Sequence, residues 1–93
     1  MTRSELIEKI AKKNPNLLLS EIERIVTVIF SSITTALAQG HRVEFRGFGV
    51  FSIHKREPRI AQNPRTGAKV KIGDRNIVHF KVGKELHDKL NEN

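Results

Sequence analysis

Apolar positions recur at helical spacing over residues 1–40 and at alternating spacing after them, which predicts an α+β chain. Leu6, Ile7, Ile10 and Ala11 share one face behind Thr2-Arg3-Ser4-Glu5, a capping-box pattern, and Asn14-Pro15 stops the run, so a first helix is expected over residues 3–13. Capping recurs at Ser20-Glu21-Ile22-Glu23 and opens a longer stripe of Ile22, Ile25, Val26, Ile29, Ile33, Ala36 and Leu37 that reaches about Ala38. Leu17, Leu18 and Leu19 either start this helix earlier or staple its first turn, and Val28 and Phe30 lie off the stripe. A helix this apolar in a chain this short is expected to be shared between its own core and a second subunit; an ordinary core helix is the alternative.

Past Gly40 the period changes to two. His41-Arg42-Val43-Glu44-Phe45-Arg46 alternates, with Val43 and Phe45 expected inward and Arg42, Glu44 and Arg46 outward. Gly47-Phe48-Gly49 then reads as a tight turn around a buried phenylalanine. A second strand carries Phe51 and Ile53 through His54 into a polar extension that turns at Asn63-Pro64-Arg65-Thr66-Gly67, where Asn-Pro starts a turn and Gly67 allows positive φ. The return, from Ala68 to Ile72, is interrupted at Gly73-Asp74, where either a separate hairpin or a bulge or kink in one long strand is allowed. Val78, Phe80 and Val82 then re-enter the core with His79 and Lys81 outward, and a last helix starting near Gly83 presents Leu86 and Leu90.

Charge changes the meaning of the extension. Residues 55–81 hold Lys55, Arg56, Arg59, Arg65, Lys69, Lys71, Arg75 and Lys81 against Glu57 and Asp74, so six of the seven net positive charges lie there. A two-stranded ribbon so poor in apolar residues does not cover itself, and isolated hairpins are marginally stable. A polyanion is the natural partner, because clustered Lys and Arg gain counterion-release free energy on a phosphate backbone. A solvated basic loop is the plain alternative. The absence of Trp and Tyr counts against the stacking platforms of single-strand and RNA readers.

Other chemistry finds little support. There is no cysteine, hence no disulfide, thiolate zinc site or thiol nucleophile. His41, His54, His79 and His87 lack metal-ligand spacing and read as lone surface residues. No nucleophile elbow or phosphate loop occurs, since Gly47-Phe48-Gly49 runs into a strand and not into a helix. Residues 1–15 read as charged helix and not as a signal sequence, and no run reaches the roughly 18 apolar residues of a membrane span.

Taken in order, Gly47-Phe48-Gly49-x-Phe51, Lys55-Arg56-x-Pro58-Arg59, Asn63-Pro64-x-Thr66-Gly67 and Phe80-x-x-Gly83-Lys84-x-Leu86 resemble the HU and integration host factor family of bacterial DNA-bending proteins, over essentially the whole chain. Residues 43–49, 64–67 and 79–86 look most like the beta-subunit branch of integration host factor. The resemblance implies one domain over 1–93: a helical body (1–40), a three-stranded antiparallel sheet with a long β-ribbon arm (41–82) and a short C-terminal helix (83–93). It further implies an intertwined dimer, with an alpha-type subunit or with itself, whose core includes Ile29, Phe30, Ile33, Phe48, Phe51 and Phe80. Double-stranded DNA is the implied partner, contacted by Arg42, Glu44, Arg46, Lys55, Arg56, Arg59, Asn63, Pro64, Arg65, Thr66, Lys69, Lys71, Arg75, Lys81 and Lys84, with Pro64 as the intercalating wedge. No cofactor, metal, small-molecule substrate, enzymatic activity or membrane is implied. The expected setting is the nucleoid of the bacterial cytoplasm, and the expected roles are recombination and transcriptional and translational control.

The chain departs from the family pattern twice. Ile60-Ala61-Gln62 stands where most members have a glycine and an arginine before Asn-Pro, which removes a cation near the arm tip, and Val82 replaces a frequent proline. Two other functions compete: an HU-like homodimer with little sequence preference, and a basic RNA-binding structural protein. Glu44 and Arg46 argue against the first, because an outward carboxylate beside an arginine on a DNA-facing strand costs nonspecific attraction unless it positions that arginine for a selective contact; a surface ion pair of little consequence is the alternative.

Overall fold

The computed structural model describes residues 1–92, and the chain divides into two compact units, Met1–Thr35 and Ala36–Asn93. In the first, α1 (Arg3–Lys13) is capped by Thr2, whose hydroxyl accepts from the Glu5 amide at 3.2 Å. Glu5 in its first turn and Lys12 and Lys13 in its last complement the helix dipole. At the far end the Asn14 amide and side chain donate back to Ala11 and Ile10, and Pro15 forbids continuation.

The second helix, α2 (Leu19–Ala38), starts before the expected Ser20 cap. The Glu21 carboxylate accepts from the Leu18 amide at 3.0 Å, which is the reciprocal half of a capping box displaced by two residues. Against α1 it buries Ile22 and Val26, which with Ile7 form the core, flanked by Ile10 and Ala11. The Arg3 guanidinium also donates to the Thr27 hydroxyl. Farther along α2, Ile25 and Ile29 of the stripe and Phe30 beside it are each nearly half exposed in the single chain, while Ile33, Ala36 and Leu37 are half-buried. At its C-terminus, Gly40 (φ +81) and His41 donate to the carbonyls of Leu37 and Ala36, a Schellman closure.

In the second unit, β1 (Val43–Phe45), β2 (Gly49–Arg56) and β5 (Arg75–Val82) form an antiparallel sheet in the order β1-β2-β5. Two further strands, β3 (Arg59–Gln62) and β4 (Lys69–Ile72), pair as a hairpin. The register puts Val43, Phe51 and Phe80 in one row, Phe45, Gly49 and Val82 in the next, and Ile53 beside Val78, all on one face. The expectation that this face is inward is corrected in part. Phe51, Ile53 and Phe80 are half-buried, whereas Phe45 (43%), Val78 (56%) and Val82 (41%) are exposed, as is Phe48 (50%) in the turn. Phe48 does reach the Phe80 ring, 5.5 Å away between centroids, but on its other side one chain supplies no cover. The face holds more apolar surface than one copy of the chain buries.

The first strand is shorter than the 41–46 pattern because the chain already turns after Phe45, where the Phe48 amide donates to the Phe45 carbonyl. Glycine is required twice nearby. A Cβ on Gly49 would stand 2.4 Å from the Phe80 ring, and one on Gly83 would stand 2.8 Å from the Gly47 carbonyl. That second contact positions α3 (Lys84–Leu90): the Gly83 amide donates to the Phe48 carbonyl at 2.8 Å and the Leu86 amide to Gly47 at 3.1 Å. Main-chain carbonyls of the turn thus do the capping that a glycine side chain cannot.

Gly83→Ala is expected to destabilise the fold by about 1–3 kcal/mol, because the new methyl meets backbone atoms that cannot swing aside. Thermal unfolding at fixed protein concentration checks this, and an unchanged midpoint would refute the docking of α3 on the turn.

Candidate nucleic-acid interface

Every residue of the expected site lies in the unit Ala36–Asn93. Lys55 and Arg56 end β2, Arg59 opens β3, Lys69 and Lys71 lie on β4, Arg75 and Lys81 on β5, and Lys84 begins α3. The last pair of β2 with β5 is Arg56 with Arg75, and the first of β3 with β4 is Arg59 with Ile72. Both obey the same register, so the ladder skips Glu57-Pro58 and Gly73-Asp74 without slipping. A bulge would have shifted it by one residue. Between the two arrangements left open at Gly73-Asp74, the chain therefore adopts one long ribbon with an interruption. Pro58 contributes by lacking an N–H for the ladder.

Alternation sorts the distal ribbon into two faces. Arg59, Ala61, Val70 and Ile72 share one, and Ile60, Gln62, Lys69 and Lys71 the other. At the tip, the Asn63 amide donates to the Ala68 carbonyl at 2.8 Å and the Gly67 amide to the Asn63 carbonyl at 2.7 Å. Asn63 Oδ1 accepts from the Arg65 amide, Thr66 Oγ1 accepts from Ala68, and Gly67 takes φ +75. These side-chain bonds close the turn from within and leave Pro64 exposed at the apex. The tip thus holds a rigid apolar ring, exposed, at the end of a cationic ribbon.

Two exposed ion pairs partly mask the charge. Lys55 Nζ lies 3.0 Å from Asp74, beside the ribbon interruption, and Arg42 lies 3.1 Å from Glu44. Glu44 thus pairs with Arg42 and not with Arg46. Residues 42 and 44 share a face by period two, while Arg46 has already left the strand for the turn. Pairs this exposed contribute ~1 kcal/mol or less to stability.

The sheet face opposite the phenylalanines corrects the histidine reading. His54 and His79 are not lone residues: their rings stack 4.8 Å apart at 25° between planes, and Ser52 Oγ lies 3.4 Å from His54 Nε2. Arg42, Glu44 and Lys81 line the same shallow concavity. This polar surface continues the cationic ribbon toward the body of the sheet. The stacking follows from the strand register, in which Ser52 pairs with His79 and His54 with Ile77, and no local pattern in the sequence signals it. Among the described residues no cluster of three or more ligating side chains could hold a metal ion, and no helix is long and apolar enough to cross a membrane.

The family model of bacterial DNA-binding proteins matches residues 1–91. Over 100% of both chains, the fold is similar to that of HU from Anabaena in a cocrystal with DNA, with a TM-score of 0.88 and 27% identity. HU from Thermotoga maritima is similar at a TM-score of 0.67 and 29% identity, covering 97% of this chain and 98% of that one, and a point variant of it at 0.69 and 29%. The chain belongs to the bacterial DNA-binding protein family, the HU-type architectural proteins. That family is defined by binding and shaping DNA and is not an enzyme family.

Asp74→Asn is expected to raise affinity for duplex DNA several-fold at low salt, by removing a carboxylate from the ribbon and freeing Lys55, while changing stability by less than about 1 kcal/mol. The gain should shrink as salt rises. Unchanged affinity across the salt series would mean that Lys55 lies outside the DNA contact.

Proposed function

We propose that the protein bends duplex DNA as a dimer whose two β-ribbon arms lie in the minor groove, with Pro64 of each arm inserted between base pairs. The observation that carries this reading is the self-braced tip, which presents an exposed proline at the end of a ribbon in unbroken register lined by Lys and Arg. The DNA cocrystal of the Anabaena relative supports the same partner. Phosphate contacts from Arg56, Arg59, Arg65, Lys69, Lys71 and Arg75 supply affinity through counterion release. Unstacking costs a few kcal/mol per step and is offset by the protein surface onto which a bent duplex wraps. Arg42, Arg46, Lys81 and Lys84, with the histidine stack, receive the flanking DNA on the body, and Glu44 orients Arg42 for a selective contact.

The dimer follows from exposure. Ile29 and Phe30 on α2 and Phe45, Phe48, Val78 and Val82 on the sheet leave apolar surface that a second subunit covers, with Ile33, Phe51 and Phe80 completing the interface. The motifs of residues 43–49, 64–67 and 79–86 support a finer assignment as a beta-type subunit of integration host factor, paired with an alpha-type subunit and serving recombination and transcriptional and translational control. Against it stands an HU-like homodimer, favoured by the HU proteins of similar fold at 27–29% identity. Either protein works at the nucleoid.

Sedimentation of the purified chain across micromolar concentrations decides between subunit states. A stable homodimer favours the HU-like reading, and a chain that folds stably only with an alpha-type partner favours integration host factor. A folded, concentration-independent monomer refutes the dimer altogether.

Bending separates the wedge from the charge. Pro64→Ala leaves every cation in place, so it should bind with a similar salt slope yet bend less and lose its preference for nicked or kinked duplex. Lys69→Ala should weaken binding on all sequences and lower the salt slope by about one unit. End-to-end fluorescence transfer reads the angle, and an unchanged bend in Pro64→Ala removes the wedge.

A further inference from the structure

We propose that Gln62 makes the arm tip select a guanine amino group in the minor groove beside the kink, an inference that rests on the arm entering that groove as proposed above. Gln62 is the last residue of β3, exposed, two positions before Pro64 and paired across the ribbon with Lys69. Its Nε2 lies 3.3 Å from the carbonyl oxygen of Gly67, on the far side of the turn. A carbonyl oxygen only accepts, so the side-chain amide can face it in one orientation alone, with the NH₂ toward Gly67 and Oε1 away from it. Gly67 is itself held, by its positive φ and by the bond from its amide to the Asn63 carbonyl. The other side-chain bonds of the tip use Asn63 and Thr66, which leaves Oε1 as an outward acceptor on a fixed support.

On the face shared by Ile60, Gln62, Lys69 and Lys71, no other side chain carries an acceptor, since the ammonium groups only donate and isoleucine does neither. The minor groove makes that distinction matter. A·T pairs present only acceptors there, adenine N3 and thymine O2, while a G·C pair adds the guanine N2 amino donor. Oε1 therefore meets a partner at G·C and a second acceptor at A·T. Lys69 and Lys71 reach phosphates and do not discriminate. Gln62 thus gives the tip a preference for G·C next to the step that Pro64 opens.

The test uses the full chain and a duplex with a single nick, which fixes where the kink forms, end-labelled for fluorescence transfer. The base pair flanking the nick is G·C, inosine·C or A·T, and inosine differs from guanine only by lacking the N2 amino group. The unmodified chain is expected to bind the G·C duplex on the order of five- to tenfold more tightly than the other two, the scale of one mismatched pair. Gln62→Met, similar in length but without the carbonyl, should erase the difference while bending persists, and Gln62→Arg, a donor only, should reverse it toward A·T. Equal affinity of the unmodified chain for G·C and inosine·C, with the DNA still bent, overturns the assignment to Gln62 and leaves the bending function standing. No bending on any of the three duplexes overturns both.

Discussion

The contact between Gly49 and Phe80 sets the geometry of everything beyond it. Because Gly49 lacks a Cβ, the Phe80 ring lies over its backbone and stacks at an angle against Phe51, 4.7 Å away. That locks Phe51 opposite Phe80, and the same register then governs every pair out to Gln62 with Lys69. A slip of one residue would turn each side chain of the moving strand to the opposite face. Phe80 would then lose its apolar row, and Lys69 and Lys71 would change places with Val70 and Ile72. The cationic face of the arm is therefore fixed by packing at its root.

The apolar economy of the chain points outward. Ile7, Ile22 and Val26 are its buried hydrophobic side chains among the described residues, while two apolar surfaces, one on α2 and one on the sheet, remain open. In a protein that worked alone such surface would invite aggregation. The proposed dimer turns that deficit into an obligation: the sheet that roots the arm is completed only when a partner covers it. Assembly and DNA binding then draw on the same elements.

Much of this was legible in the residues. Thr2 and Pro15 bracket α1, Gly40 ends α2, and the Asn63-Pro64 turn with Gly67 marks the tip, because each feature is decided within a few neighbouring residues. What could not be read depended on which of several competing partners each group takes. The start of α2 moved because Glu21 reaches back to the Leu18 amide in competition with the Ser20 cap. Phe48 looked buried between two glycines, yet its cover has to come from beyond one copy of the chain. The stacking of His54 on His79 and the pairing of Glu44 with Arg42 follow from strand register and strand ends, which no local pattern specifies.

The unbroken register also bears on how the ribbon can form. Gly49 and Val82 are far apart in sequence, and closing so long a loop in one step is entropically costly. Beginning instead at the self-closing turn around Pro64, each new pair adds only a few residues to a loop already shut, so the ladder can zip inward from the tip on the microsecond scale typical of hairpins. Only the skipped residues, Glu57-Pro58 and Gly73-Asp74, must be crossed without a bond, and the Lys55 to Asp74 ion pair lies beside that gap. The turn that presents Pro64 is thus also where a long-range sheet can be nucleated as a local one.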